Sequence, residues 1–436
     1  MNTPRPLLPL LASALLSLPL GCTTPSTRRP APATPAAIPA SAPRIAIDQA
    51  GAVGDGKTLN TAAIQRLVDR LAADGGGTVV VPTGVFVSGA LFLKPGVNLH
   101  LDTDAVLRCS TDLSHFPSRL TRIEGRLQEF HPALINAEGC DGLRITGPGV
   151  IDGDGRKIWD EFWTRFNADK RTRNLDIPRA RLAFVARSRH VVIDGPTFKD
   201  SQFWNLHLYH CRDVLVQNVR FQVPDDYKQA PSTDGIDVDS SQDVLIRDCH
   251  FSVTDDCIAM KGSKGPLALE DRDSPPVERV RITGCTFRRG HAALTLGSEA
   301  TTVRDVVMEN SRVTGAMHLL HVKLRPDTPQ RYENIHVRDT VLDNDRGQMI
   351  YMNPWTQYFD LQGHPPPRSV VRDITISNLA GRYGSFGNLL GNPGRTDIDG
   401  ILFRDLTLTL ANPRPKIGDV KNLRFENVRI NDQPVH

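Results

Sequence analysis

Short alternations of apolar and polar residues recur along the chain, and Asn, Asp or Gly follows each of them. In each unit the apolar residues are two positions apart, so they share one face, as in a short half-buried strand. Examples are 214–218, 244–248, 280–284, 335–339, 374–378 and 423–427. The residue that follows each strand supports a bend, because Asn, Asp and Gly accept left-handed backbone angles.

The strand unit is constant, but the spacing between units is not. From Leu143 to Leu423 the steps between units run from 22 to 48 residues. The anchors are Leu143, Val191, Val214, Val244, Val280, Val306, Ile335, Ile374, Ile401 and Leu423. Such a pattern is typical of loops of different length inserted between constant rungs. A doubly wound α/β fold would need a helix between strands, and the intervening segments rarely show that period. The sequence therefore predicts an all-β fold, a single-stranded right-handed parallel β-helix.

One segment near the start predicts a short helix. In Thr61–Ala73 the side chains of Ile64, Leu67, Val68 and Leu71 share a face, and an Asp-Gly-Gly-Gly run ends the segment. A repeat fold exposes its core at its ends, and terminal caps cover it. We expect this helix to be the N-terminal cap.

The N-terminus predicts export. Residues 1–22 read as a signal peptide, with Arg5 before an apolar run that is too short to span a membrane comfortably. Cys22 resembles a bacterial lipoprotein processing site, so we expect lipidation there, with plain export as the alternative. Residues 23–43, rich in Pro, Ala and Thr, predict a linker, and 44–436 the folded domain. The expected location is the periplasm, the outer membrane through this anchor, or the exterior.

Charge and cysteine content limit the classes of partner and cofactor that the chain is expected to bind. The 52 basic and 49 acidic residues nearly cancel, which does not support nucleic-acid binding. Of seven cysteines, six remain when Cys22 is set aside, and both buried thiols and disulfides are compatible with their positions. The sequence shows no Cys pair or His cluster at zinc spacing, so we predict no metal and no cofactor. We expect a monomer.

Asp234, Asp256 and His291 follow one another at intervals of 22 and 35 residues, with Asp255 next to Asp256. These intervals match a solenoid turn, so the acids are expected to stack on neighbouring turns of one face. Clustered carboxylates repel one another, and a fold tolerates them mainly where a raised acid pKa is used. The stack suggests a hydrolase of polysaccharide.

Three segments in order, 233–237, 255–261 and 290–299, resemble the polygalacturonase-type glycoside hydrolases of family 28. The resemblance covers most of residues 45–410. It implies a β-helix that hydrolyses pectin with inversion, which needs one acid and one base. By this resemblance Asp255 is the general acid, and Asp234 and Asp256 hold and deprotonate the attacking water. His291 would bind substrate or tune the protonation of Asp255.

The candidate substrate-binding residues are Lys261, His321, Lys323, Arg325 and Tyr351, although the family tyrosine has no clean match in this sequence. The family's Arg-Ile-Lys motif reads His321-Val322-Lys323 here. Imidazole cannot grip a sugar carboxylate with two parallel hydrogen bonds as guanidinium does. Arg325 either supplies the missing fork or is a solvated loop charge. Tyr351 either stacks on a sugar ring or packs within the fold, and Trp355 is a second candidate for stacking.

The predicted function is inverting hydrolysis of α-linked galacturonic acid bonds in an acidic plant polysaccharide or its oligosaccharides. An aromatic and Pro-rich insertion over 355–367 is expected to wall off one end of the cleft, which favours exo action. Alternatives are a rhamnogalacturonan-directed hydrolase of the same family and a calcium-dependent pectate lyase, since three acids can ligate calcium. A carbohydrate-binding or adhesin solenoid without catalysis is a further alternative.

Overall fold

Short parallel strands form most of the computed structural model, which describes residues 43–435. The predicted signal peptide, the lipidation site at Cys22 and nearly all of the linker lie outside the described residues. Within the described part, neither α-helix is both long and apolar enough to cross a membrane.

The first strands build the opening turns of the solenoid. They are β1 Arg44–Ala46, β2 Asp55–Leu59, β3 Gly77–Val81, β4 Gly84–Ser88, β5 Leu91–Leu93, β6 Val97–Leu101 and β7 Ala105–Cys109. Two further strands, β8 Arg119–Ile123 and β9 Arg126–Phe130, form a separate antiparallel hairpin.

The middle of the chain supplies the strands that carry the site. They are β10 Ile135–Glu138, β11 Arg144–Thr146, β12 Val150–Asp152, β13 Ala183–Ala186, β14 Arg189–Asp194, β15 Thr197–Lys199, β16 Leu206–Tyr209, β17 Arg212–Gln217, β18 Arg220–Gln222, β19 Ile236–Asp239, β20 Gln242–Arg247, β21 His250–Ser252, β22 Ile258–Lys261, β23 Val277–Thr283, β24 Thr286–Leu296, β25 Thr302–Glu309, β26 Ser311–Val313 and β27 Ala316–Leu324. The last strands complete the solenoid. They are β28 Arg331–Asp343, β29 Gln348–Pro354, β30 Ser369–Leu389, β31 Thr396–Asn412, β32 Lys416–Ile417, β33 Val420–Lys421, β34 Arg424–Ile430 and β35 Gln433–Val435.

From β10 onward the strands form three parallel ladders. Strands β10, β13, β16, β19, β22, β24, β27 and β29 pair in succession and make the face that carries the site. The second ladder runs from β11 through β14, β17, β20 and β23 to β25, and the third from β12 through β15, β18 and β21 to β24. The predicted right-handed parallel β-helix is confirmed, with the handedness usual for parallel connections.

The predicted anchor residues lie in register on the second ladder. Val191 pairs with Val214, Val214 with Val244, and Val244 with Val280. The same register continues through Val306, Ile335, Ile374 and Ile401. All of these side chains are buried, so the irregular sequence steps are loops between fixed rungs, as predicted. The third ladder adds an internal stack of Phe198, Phe221, Phe251 and Phe287, with ring centroids 5.1 to 5.2 Å apart.

The predicted bend residues have left-handed backbone angles. Asn218 has φ of 56°, Asp248 of 54° and Gly284 of 67°. Asp339, Asn378 and Asn427, the bend residues of the other three units, also have positive φ. The choice of Asn, Asp or Gly at these positions therefore follows from backbone conformation.

Asn218 offers a clean test of that conformational role. Its side chain donates to Asp194 at 2.9 Å, and both Asn218→Gly and Asn218→Ala remove this bond. Only Ala carries a Cβ, which is unfavourable at positive φ. We expect Asn218→Ala to be less stable than Asn218→Gly by about 1 kcal/mol, measured from urea unfolding curves. Equal stabilities would contradict a conformational reason for the bend residue.

Two α-helices flank the solenoid. The predicted cap is α1, Thr61–Ala73, which buries Ile64, Leu67, Val68 and Leu71 and packs on β3, β5 and β6. The second helix, α2 Arg156–Ala168, was not predicted, and the expectation of a single helical segment was wrong. Its aromatic residues at 159, 162, 163 and 166 recur at helical spacing, which was the overlooked signal. The short 3-10 helices are Asp48–Ala50, Leu113–His115, Asn174–Asp176 and Ala268–Glu270.

The cysteine alternatives are also resolved for the described residues. Cys109, Cys140, Cys211, Cys249, Cys257 and Cys285 are buried free thiols. They pack as small apolar residues in the rungs.

Candidate active site

The register of the first ladder brings the predicted acids together. Ile236 of β19 pairs with Ile258 of β22, which in turn pairs with Leu294 of β24. The segments just before these strands are therefore neighbours as well. The Gly235 amide donates to the Asp256 carbonyl at 2.9 Å, and the His291 amide donates to the Asp255 carbonyl at 2.8 Å. The four residues thus form one cluster on neighbouring turns of the same face, as the sequence intervals predicted. They are Asp234, Asp255, Asp256 and His291.

Asp256 is a buried carboxylate held by two cationic or donor groups. Its Oδ2 lies 2.7 Å from Lys323 Nζ, and its Oδ1 lies 3.3 Å from His291 Nδ1. Burial alone would raise the pKa of Asp256, but Lys323 and the hydrogen bond from His291 hold this pKa well below its usual range. Asp256 is therefore an ionised carboxylate inside the site.

Asp234 has the opposite electrostatic environment. Its side chain is buried, and its Oδ1 accepts no hydrogen bond from the described residues. Burial raises its pKa well above the usual value, and the nearby Asp255 and Asp237 raise it further. The partly compensating cation is Lys261, whose Nζ lies 3.8 Å from Asp234 Oδ2. Asp234 and Asp256 are therefore both buried but have pKa values shifted in opposite directions.

Lys261 is the centre of a second buried charge cluster. Its ammonium lies 3.7 Å from Asp237 and 3.4 Å from Glu299, and 5.0 Å above the Trp204 ring. Burial opposes its charge, but Glu299, Asp234 and Asp237 together raise the pKa of Lys261 well above the usual value. Lys261 is thus a fixed positive charge between the carboxylates of Asp234, Asp237 and Glu299.

Asp255 is the most accessible of the three predicted catalytic acids. It is half-buried, whereas Asp234 and Asp256 are buried. Its Oδ1 accepts the Asp256 amide at 2.9 Å, which fixes the side chain at the start of the strand. An acid that must reach a glycosidic oxygen needs this partial exposure.

A cleft of about 360 Å³ opens over the cluster. Its lining combines the acids and lysines with aromatic rings and polar side chains. The residues are Glu124, Phe162, Trp163, Phe166, Asn174, Trp204, Gln229, Ala230, Pro231, Ser232, Asp234, Thr254, Asp255, Asp256, Lys261, Lys264, His291, Ser298, Glu299, Lys323, Arg325, Trp355, Gln357 and Tyr358. Mixed aromatic and charged surface of this kind suits a charged sugar, because rings stack on the sugar faces and cations meet its carboxylate.

The predicted insertion borders one side of the cleft. Trp355, Gln357 and Tyr358 line the cleft, and the Tyr358 hydroxyl donates to the Thr172 carbonyl at 3.4 Å. Thr172 belongs to the segment that follows α2, so the insertion and this segment meet. The insertion therefore lies beside the cleft, and its closure of one end stays a prediction.

Arg325 is buried and contacts the insertion, so it is not the solvated loop charge that was one of the two alternatives. Its guanidinium is buried and forms two hydrogen bonds to Asp327, at 2.8 and 2.7 Å. It also donates to the carbonyls of Gln357 and Tyr358, at 3.2 and 3.3 Å. A guanidinium engaged in this way is not a solvated loop charge, and its fork is used by Asp327. A substrate contact by Arg325 stays a prediction.

His321 and Tyr351 are not among the residues that line the cleft. His321 is fully buried, and neither ring nitrogen has a hydrogen-bond partner among the described residues. Burial lowers the pKa of His321 far below its usual value, and Lys323 lowers it further, so the ring is neutral. Tyr351 stacks on His318 with centroids 4.5 Å apart. The packing alternative describes Tyr351 in this structure, and sugar contacts by either residue stay predictions.

Several site residues were missed by the sequence reasoning. Glu299 and Asp237 stood inside the quoted motifs but received no role. Trp163 and Phe166 went unassigned because α2 was missed. His318 lies three positions before His321, a spacing that gave no warning of a shared location, yet the two ring centroids are 5.0 Å apart.

Two groups among the described residues have side chains close enough to hold a metal ion. One consists of His291, His318 and His321, and the other of Asp255, Asp256 and His291. In each group the possible ligand atoms lie within 4.8 Å of one another. The sequence showed no histidine cluster at zinc spacing, because the fold assembles these residues from strands β24 and β27.

Comparison with known proteins shows which family the chain matches and which proteins it resembles. The family model described as "Glycosyl hydrolases family 28" matches residues 77–423. A probable polygalacturonase of Vitis vinifera is 27% identical over 378 residues, covering 84% of this chain and 74% of that protein. An exo-poly-alpha-D-galacturonosidase of Dickeya chrysanthemi is 26% identical over 443 residues, covering 89% and 72%. The crystal structure of a hyperthermoactive exopolygalacturonase from Thermotoga maritima matches with a TM-score of 0.73 and 23% identity, covering 91% of this chain and 93% of that one. This last likeness concerns the fold.

Proposed function

We propose that this chain releases galacturonic acid from one end of pectin-type chains with inversion. The chain belongs to glycosyl hydrolases family 28, and it is a glycosidase acting on O-glycosyl bonds. The observation that carries this proposal is the cluster of Asp234, Asp255 and Asp256 in a cleft that the insertion borders on one side. The acids supply the hydrolysis, and the wall restricts how far a polymer extends through the site.

The division of labour follows from exposure and charge. Asp255, half-buried at the cleft, is the general acid that protonates the glycosidic oxygen as the bond breaks. Asp256, kept ionised by Lys323, is the base that takes a proton from water. Asp234, with its unpartnered Oδ1, accepts a hydrogen bond from that water and positions it. A water attacking the sugar face opposite the leaving group inverts the anomeric carbon.

Two observations support the acidic substrate and the exo mode. Lys261 and Lys323 both line the cleft, and although each is paired with carboxylates of the site, they place positive charge where a uronic acid carboxylate would bind. The contact between Tyr358 and Thr172 joins the insertion to the segment after α2 beside the cleft, which supports a restricted end. Relatives named as exo-acting, including the Dickeya chrysanthemi protein, are consistent with this mode.

A product time course tests the proposal. The full-length protein is incubated with polygalacturonan, with galacturonic acid oligomers and with rhamnogalacturonan oligomers, with and without EDTA. We expect saturated monosaccharide from the earliest time points, in the inverted anomeric form by NMR. A mixture of oligomer sizes from the start would contradict exo action. An unsaturated, ultraviolet-absorbing product that requires calcium would identify a lyase, and cleavage of rhamnogalacturonan alone would favour the related specificity.

The wall can be tested separately through Tyr358. Tyr358→Ala removes the hydroxyl that reaches Thr172 and opens the side of the cleft that the insertion borders. We expect oligomeric products to appear beside the monosaccharide, with the total rate reduced by less than about tenfold because the acids are untouched. Phe359→Ala is the matched control, since Phe359 is exposed and does not line the cleft. An unchanged product pattern in Tyr358→Ala would contradict the role of the wall.

A further inference from the structure

Three histidine rings face one another beside the cleft. His291 lies on β24, and His318 and His321 lie on β27. The ring centroids are 5.2 Å apart for His291 and His318, 5.1 Å for His291 and His321, and 5.0 Å for His318 and His321. The rings therefore surround one point rather than forming a row.

The two buried rings, His318 and His321, have nitrogen atoms without a hydrogen-bond partner in the described part of the chain. His318 and His321 are buried, and His318 Nδ1 and both ring nitrogens of His321 have no hydrogen-bond partner among the described residues. Buried ring nitrogens without partners are unfavourable, and each such group calls for an explanation. A water that donates a hydrogen bond to the unprotonated nitrogen of each ring, or a metal ion that binds there, would satisfy that nitrogen.

The third ring, His291, is held by the carboxylate of Asp256. His291 Nδ1 lies 3.3 Å from Asp256 Oδ1, a distance that suits the tautomer in which Nδ1–H donates to this carboxylate. That arrangement leaves Nε2 with a free lone pair. A carboxylate that fixes the distal nitrogen of a histidine is the usual second partner of a metal-binding imidazole.

Aromatic side chains surround the three rings and leave a site better suited to a bound ion than to bulk water. Tyr351 stacks on His318, and Trp355 contacts the ring of His321 edge-on at 5.8 Å. The positive charge of Lys323 is paired with Asp256 at 2.7 Å, so its repulsion of a divalent cation among the three rings is partly offset.

We propose that His291, His318 and His321 bind one transition-metal ion of the zinc class at the wall of the cleft. Three imidazoles and an open fourth position are a known zinc donor set, and calcium is excluded by its preference for oxygen ligands. The possible ligand atoms lie within 4.8 Å of one another. Nitrogens about 2 Å from a tetrahedral ion lie about 3.4 Å apart, so small ring rotations complete the site. This binding goes beyond the proposed hydrolysis and does not depend on it.

Equilibrium dialysis tests the site without any measurement of activity. The full-length protein, purified without a histidine tag and stripped with EDTA, is dialysed against Zn²⁺, and bound metal is measured by mass spectrometry. We expect about one ion per chain, with affinity reduced at least about tenfold in His318→Asn and in His321→Asn. His336→Asn is the matched control, because His336 lies on β28 away from the cluster. Circular dichroism verifies that each variant is folded.

Two outcomes would overturn the proposal. If Asp255→Asn loses the ion while His318→Asn keeps it, the metal binds the group formed by Asp255, Asp256 and His291 instead. If the wild type binds no more Zn²⁺ than His318→Asn, there is no such site. Co²⁺ gives a second measurement that needs no variant. Visible ligand-field bands typical of tetrahedral nitrogen coordination are expected in the wild type, and their absence counts against the proposal.

Discussion

Asp255→Asn is expected to lower the rate of hydrolysis by about 10²- to 10⁴-fold, the usual contribution of a positioned proton donor. The amide has the shape of the carboxyl group but cannot give up a proton to the leaving oxygen. The hydrogen bond that Asp255 Oδ1 accepts from the Asp256 backbone N–H at 2.9 Å should persist, because the amide oxygen of asparagine can also accept it. We therefore expect the loss in kcat with little change in thermal unfolding.

The control for this variant is Asp419→Asn, which removes an exposed carboxylate far along the chain from the acid cluster. It should retain the wild-type rate. Substrate binding by Asp255→Asn, measured by calorimetry, should persist, since Lys261 and Lys323 remain. Full activity in Asp255→Asn would remove the general acid from the mechanism and would return weight to a binding solenoid without catalysis.

Much of the fold was predictable because its rules are local. A period of two residues decides which side chains enter the core, and a left-handed bend decides where Asn, Asp or Gly follows a strand. Val214, Val244 and Val280 lie in register although 30 and 36 residues separate them along the chain. The acids of the site were predictable for the same reason, since they occupy equivalent positions on successive turns.

The parts that were not predictable depend on contacts between distant residues. Arg325 looked like a choice between substrate and solvent, but Asp327 and two carbonyls of the insertion occupy its guanidinium. His318 gave no sign in the sequence that it would face His291 across two strands. The helix α2 is a different kind of miss, because its aromatic spacing was legible in the sequence.

The ion pair of Lys323 and Asp256 joins residues 67 positions apart, and it carries the second large prediction. Lys323→Met is expected to lower the free energy of unfolding by about 3–5 kcal/mol, because it leaves a buried carboxylate without its cation. Activity should be lost as well, since the base no longer has the charge that keeps it ionised. Unfolding in urea and initial rates of hydrolysis measure the two effects separately.

A double variant separates the cost of an unpaired charge from the loss of a contact. Lys323→Met with Asp256→Asn removes both charges, so most of the lost stability should return, while activity stays absent because the base is gone. Lys421→Met is the control: Lys421 lies 2.8 Å from Asp397, close to the 2.7 Å of the buried pair, but Lys421 is exposed, and the half-buried Asp397 keeps Arg372 as a second partner at 3.1 Å. Its effect on unfolding should be much smaller, because water solvates the remaining carboxylate. If the double variant were no more stable than Lys323→Met, the destabilisation would come from lost packing of the lysine side chain against Trp355 rather than from the stranded charge.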